Sequence, residues 1–163
     1  MNAASPEPAP AYLQLRQRII HLKPAELGIM PSTDLPHIWG VLMETGYEVG
    51  TATLVCLADG TTSLYYSTGG GMIGSGQYRP MAQASKALVA EAERRIKRMS
   101  PSEDFPLPGI GEVRIYFLTY TGILSAQTTE SDLISNANPL TPLYQRAQDT
   151  LRQLRAFSEV KRK

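Results

Sequence analysis

The stretch IWGVLMET, Ile38–Thr45, decides the architecture of this chain. Trp39, Val41 and Met43 point one way in an extended reading, and Ile38 and Leu42 the other. A strand apolar on both sides is one covered on both sides, so Ile38–Thr45 predicts a central strand. The chain then runs through GYEVG, a loop with a glycine at each end, into a second strand over Thr51–Ala58. Asp59-Gly60 predicts a tight type I′ hairpin, because both residues tolerate positive φ. Thr61–Thr68, rich in Thr and Tyr, is the third strand of an antiparallel meander.

Upstream, Pro10 opens a helix over roughly residues 10–22. Tyr12, Leu15, Ile19 and Leu22 fall on its inward face, and Arg16, Gln17 and Arg18 on the opposite one. Lys23–Pro36 reads as one helical turn and an irregular connection. Downstream, Gly69–Gly76 is a glycine-rich loop, and a helix runs from Pro80 to about Met99 with Met81, Ala84, Leu88, Ala92, Ile96 and Met99 as its buried stripe, widened by Val89. Ser100–Gly111, interrupted by prolines and glycines, is a loop. Glu112–Tyr120 alternates cleanly, with Val113, Ile115 and Phe117 against Arg114, Tyr116, Leu118 and Tyr120. Thr121-Gly122 turns the chain into a fifth strand, Ile123–Thr128, and a short helical turn follows around Ser131–Ser135. Thr141 and Pro142 are an N-cap and N1 proline for a last helix, with Leu143, Ala147, Leu151 and Leu154 inward and its end near Phe157.

The expected fold is therefore α+β: a five-stranded, mainly antiparallel sheet, a meander of three and then a hairpin of two, flanked by helices in the order α-βββ-α-ββ-α. Residues 1–10 are expected as a disordered, proline-rich tail, 11–158 as a single domain, and 159–163 as a charged tail. The size and mix of elements looks broadly like the small sheet-and-helix scaffolds of the profilin, roadblock and longin kind. Roadblock and longin proteins group their strands two then three, the reverse of the grouping here, so the likeness assigns no family.

Composition narrows the function classes. The chain has 163 residues, 42% of them apolar, and a formal charge of +1, which supports a core and argues against wholesale disorder. Cys56 is the only cysteine, so no intramolecular disulfide forms, and its alternation with Ala52, Leu54 and Ala58 makes it a core residue. No apolar run approaches the ~20 residues that span a bilayer. The balance of 16 basic and 15 acidic residues gives no electrostatic footprint for nucleic acid. MNAASPEPAP has neither the basic nor the apolar region of a secretory signal, which makes the cytoplasm the expected compartment.

Three features are candidate sites. Gly69, Gly71 and Gly74 match G-x-G-x-x-G after a strand and before a helix, and Gly70, Ser75 and Arg79 complete a possible anion or small-ligand loop. The preceding strand is polar, Gly76 and Pro80 delay the helix, and Glu91 and Glu93 lie inside it rather than ending a second strand; dinucleotide binding is therefore disfavoured. The same glycines also fit a turn with positive φ packed against another backbone. Arg94, Arg95, Lys97 and Arg98 form a basic helix end, which Lys161, Arg162 and Lys163 reinforce only if the tail folds back. Tyr65, Arg114, Tyr116 and Tyr120, with Thr61 and Ser63, form a polar-aromatic sheet face for a partner or second copy, or else a platform for helices packed on it.

Catalytic and metal arrangements are hard to build. His21 and His37 lack Cys, Asp or Glu at metal-ligand spacing. A Ser67, His37, Asp59 set has no nucleophile-elbow sequence, and Asp59 already has a turn role. Glu103-Asp104 and Glu130/Asp132 read as solvation and helix capping. No cofactor is implied. The sequence favours a non-catalytic interaction or scaffold module, homodimeric, with a small-ligand or anion sensor as the alternative and a hydrolase of unrecognised type as a third reading.

Overall fold

The computed structural model describes residues 6–74 and 78–162. Among these, seven strands form one antiparallel sheet with four helices, against the five strands and three helices expected. Helix α1 (Pro10–His21) and a 3₁₀ turn (Pro24–Leu27) lead into β1 (Ile38–Tyr47), β2 (Gly50–Leu57), β3 (Thr62–Tyr66) and β4 (Gly71–Gly74). Helix α2 (Arg79–Arg94), a second 3₁₀ turn (Ile96–Arg98), β5 (Ser100–Pro101), β6 (Glu112–Thr119), β7 (Gly122–Thr129), α3 (Glu130–Ile134) and α4 (Thr141–Arg162) follow. The strand order across the sheet is β4-β3-β2-β1-β6-β7-β5. β1 is central, as its two apolar faces require.

The register sorts the strand side chains into two cores. Val41, Met43, Leu54, Cys56, Ile115 and Phe117 pack with α2 and α4 on one face. Leu42, Val55, Tyr116 and Leu118 pack with Ile19 and Ile20 of α1 on the other. A bulge between Ile38 and Gly40 reverses the expected alternation there, so that Ile38 joins Val41 and Met43 in one core and Trp39 joins Leu42 in the other. Helices α2 and α4 run antiparallel, since Tyr78 stacks on Phe157 with ring centroids 5.3 Å apart while Ser85 and Thr150 both reach Cys56. Asn138 closes the turn ahead of α4, its Oδ1 accepting the Leu140 N–H at 2.8 Å, and Thr141, the first helical residue rather than the expected N-cap, donates its hydroxyl proton to the Leu133 carbonyl at 2.9 Å.

Several local expectations change. The Asp59-Gly60 turn is not type I′: Leu57 N–H bonds the Thr61 carbonyl and Gly60 N–H the Leu57 carbonyl, and only Gly60 has positive φ, at 93°. It is a three-residue loop, and Asp59 Oδ1 accepts the Thr61 N–H at 2.9 Å. Thr119 pairs with Gly122, so Tyr120 and Thr121 occupy the next turn rather than Thr121 and Gly122. Helix α4 continues past Phe157 to Arg162. Ala9 N–H bonds the Ser67 carbonyl at 2.7 Å, so the segment ahead of α1 lies against the β3–β4 turn.

The largest change is on α1. Its buried residues are Tyr12, Arg16, Ile19 and Ile20, so the inward face is rotated onto Arg16, which the spacing of apolar residues had put in solvent. Burial of a guanidinium is tolerable only with a counter-charge and full hydrogen bonding. Glu44 supplies the charge from β1: Nε and Nη2 of Arg16 donate to its two oxygens at 2.7 Å each. Nη2 also donates to the Phe105 carbonyl at 2.8 Å.

Candidate functional site at the β4 edge and beneath helix α4

The region expected to be a glycine-rich loop is a turn followed by a strand. Gly69 N–H bonds the Tyr66 carbonyl, and Tyr66 N–H bonds the Gly70 carbonyl at 3.2 Å. From there β4 pairs with β3, Met72 opposite Leu64 and Gly74 opposite Thr62. Gly71 is required by close approach: a Cβ on it would stand 2.1 Å from the Leu64 carbonyl oxygen, and its φ is +149°. The geometric reading of these glycines thus has a specific contact behind it. Gly69 and Gly70 have φ of 108° and 78° in the turn. Ser75 and Gly76 lie outside the described residues. Arg79, the first residue of α2, is exposed and forms no ion pair among the described residues.

The ladder fixes which main-chain groups of β4 are free. In an antiparallel pair, alternate residues turn their N–H and C=O toward opposite neighbours. Leu57 N–H bonding Thr61 O sets the phase for β2–β3, and Tyr66 N–H bonding Gly70 O sets it for β3–β4. Met72 and Gly74 therefore bond β3, while Gly71 and Ile73 direct their N–H and C=O away from the sheet. The strand carries no charged residue, and the Ile73 side chain is 69% exposed. Beside it, a shallow groove is lined by Tyr12, Leu15, Tyr65, Gly71 and Ile73. At the opposite edge β5 has two residues, one of them Pro101, which lacks an N–H, and they pair only with Leu124 and Ser125 of β7.

On the other face of the same strand, Met72 points beneath α4. A cavity of about 260 Å³ lies there, floored by Met43, Leu54, Leu64 and Met72 and rimmed by Tyr47, Tyr66 and Arg155. Burial, and secondarily the charge of Glu130, raises the Tyr47 phenol above its ordinary value. Glu130 accepts the Tyr144 hydroxyl proton at 3.0 Å. No sequence signal found this cavity, because its lining is scattered over four strands and a helix and only strand parity assembles it.

The tyrosine face is assembled in part. Tyr65, Arg114 and Tyr116 share the α1 side of the sheet with Glu44 and Thr53, whose register brings them together. Tyr116 is 1% exposed, covered by α1 and the 105–107 segment: its hydroxyl donates to the Pro106 carbonyl at 2.9 Å, and Phe105 meets its ring edge-on. It is a platform for α1, not an outward face. Arg114 donates to Glu112 at 2.9 Å. The Tyr120 hydroxyl is buried without a hydrogen-bond partner among the described residues.

The reactive groups named above are dispersed. His37 Nδ1 lies 3.0 Å from Glu93 Oε2, while Glu93 Oε1 accepts the N–H of His37 at 2.8 Å and of Ile38 at 3.1 Å, tying α2 to the start of β1. Asp59 sits at that same end of the sheet. Ser67 Oγ accepts the Thr51 N–H at 2.7 Å at the other end, six strand steps or roughly 20 Å away. Ser67, His37 and Asp59 do not meet. His21 lies 3.0 Å from Gln17 on α1. Among the described residues no group of three His, Cys, Asp or Glu side chains is placed to hold a metal ion, and no helix is long and apolar enough to cross a membrane. Cys56 is fully buried, and that burial pushes its thiol up to about 12. Arg94 ends α2 and Lys97 and Arg98 follow in the next turn, whereas the last turns of α4 run past the opposite end of α2, where Phe157 meets Tyr78, about 24 Å away at 1.5 Å per residue; Lys163 lies outside the described residues.

No protein-family model matches this chain, and no curated protein or solved structure is significantly similar to it.

Proposed function

We propose that this chain is a non-catalytic interaction module that pairs with a second copy of itself along the open edge of β4. One observation carries the reading: β4 ends the sheet as an uncharged strand whose outward main-chain groups have no strand beyond them among the described residues. β5 covers the other side only opposite Leu124 and Ser125 of β7, whereas β4 presents the outward N–H and C=O of Gly71 and Ile73, with no charge or proline in the strand and no further strand beside it among the described residues. Natural edges normally carry such protection because an open strand templates another. Two copies of β4 in antiparallel register satisfy each other's main-chain groups around a two-fold axis. The exposed Ile73 side chain and the groove beside Tyr12, Leu15 and Tyr65 supply apolar area to the same contact.

The Ile73→Pro substitution tests this directly. The Ile73 N–H faces outward, so proline leaves the β3–β4 ladder intact while removing a donor from the edge. Light scattering is expected to give a dimer for the wild type at tens of micromolar and a monomer of unchanged circular dichroism for Ile73→Pro. A wild-type monomer throughout that range, or a dimer indifferent to Ile73→Pro, overturns the proposal.

A further inference from the structure

The cavity beneath α4 has the build of a small-molecule site. Its floor is apolar and contains two methionines, Met43 and Met72, whose unbranched side chains adapt to an occupant. Its size, about 260 Å³, falls just short of the ~300 Å³ at which ligand pockets commonly begin, so an occupant must be small. At ~30 Å³ per water-sized heavy atom, it holds roughly nine such atoms. Arg155 is the one charged side chain in the lining and forms no ion pair among the described residues. Tyr47 and Tyr66 place phenolic rings at the same rim, half exposed. Glu130, beyond Tyr47, is engaged by Tyr144.

We propose that this cavity binds a short amphipathic carboxylate, with its chain over Met43, Leu54, Leu64 and Met72 and its head on Arg155. The apolar floor sets the chain and the capacity sets its length. The cation at the rim sets the charge, since a guanidinium fork matches a planar carboxylate in bidentate fashion. A dianionic phosphate would need a second cation, and the lining has none.

Hexanoate and octanoate, with eight and ten heavy atoms, are the probes, with octan-1-ol and dodecanoate as controls for charge and length. Calorimetric titration of the intact chain is expected to show saturable binding of octanoate and little of dodecanoate. Arg155→Gln, at an exposed position, should weaken octanoate by about tenfold, the worth of one charge-assisted contact. It should leave octan-1-ol unchanged. Ala52→Leu, which extends into the cavity from β2, should abolish binding. Should that variant lose stability, the methyl resonances of Met43 and Met72 in the wild type decide instead, since both must shift with octanoate. Absence of saturable binding, equal affinity for octanoate and octan-1-ol, or unmoved methionine methyls overturns the assignment.

Discussion

Arg16 of α1 and Glu44 of β1 form a two-pronged ion pair, 2.7 Å at each contact, with side chains 5% and 0% exposed. Thr53 donates its one hydroxyl proton to Glu44 at 2.8 Å, so the Tyr12 hydroxyl, 2.7 Å from Thr53, must be the donor there. The result is a closed polar network in which α1 and the sheet satisfy one another. Removing one partner of a buried pair leaves an uncompensated charge, at a cost of about 3–5 kcal/mol. Arg16→Met is therefore expected to lower the unfolding free energy from urea titration by that much. The double variant Arg16→Met, Glu44→Leu should recover most of the loss, because two apolar side chains leave no orphan. A double variant no more stable than Arg16→Met would show that the network is needed for more than charge balance.

The same network gives a pH dependence. Burial first, and the Glu44 charge second, raise the Tyr12 phenol from its ordinary 10.0 to about 12. Between those values the unfolded chain loses a proton that the folded chain keeps. Stability is thus whole below pH 10 and falls as pH rises through the folded value. Tyr116 and Tyr144 are raised too, each chiefly by burial. Denaturant midpoints should decline above pH 10, and Tyr12→Phe should make that decline shallower. An equally steep decline in Tyr12→Phe would assign the proton elsewhere.

Gly71→Ala should cost far more than an ordinary glycine substitution. The new Cβ would meet the Leu64 carbonyl at 2.1 Å, against backbone that cannot step aside, and at a φ that alanine avoids. Loss of the β3–β4 pairing is expected, with destabilisation of about 2 kcal/mol or more. Gly109→Ala is the internal control. Nothing lies within 4 Å of its added methyl and its φ is ordinary, so thermal melting should move little.

Cys56 should be silent in the folded chain. Its thiol is fully buried with its proton held up to about 12, so the thiolate is scarce and out of reach. Labelling with an aromatic disulfide reagent should proceed only at the rate of unfolding. Fast stoichiometric labelling of the native chain would contradict the burial.

What could be read in the residues, and what could not, follows from where each signal resides. The two-faced Ile38–Thr45 run named the central strand, and the alternation of Val113, Ile115 and Phe117 with Tyr116 and Leu118 named another strand, but its place beside the first is visible only in the fold. β4 escaped notice because a strand is recognised by its side-chain period, and two of its four residues are glycine. β5 escaped because two residues have no period at all. Arg16 went to solvent because its partner lies 28 residues away. The signal was nonetheless present in Glu44, a lone carboxylate in an otherwise apolar strand, which demands a cation from elsewhere. The cavity rim depends on Arg155 returning over β1–β4, a tertiary consequence of the antiparallel α2–α4 pair.

The inward turn of Trp39 at the start of β1 has a practical corollary. It is the sole indole of the chain, 3% exposed beside Ile19 and Ile20, with its Nε1–H on the Thr119 carbonyl at 3.2 Å. Its emission is consequently a one-sided gauge. A red shift reports water entering where the N-terminal helix has lifted off, while events on the opposite layer reach it only through the strand between. The molecule thus comes with an unlabelled optical marker that tells its two halves apart.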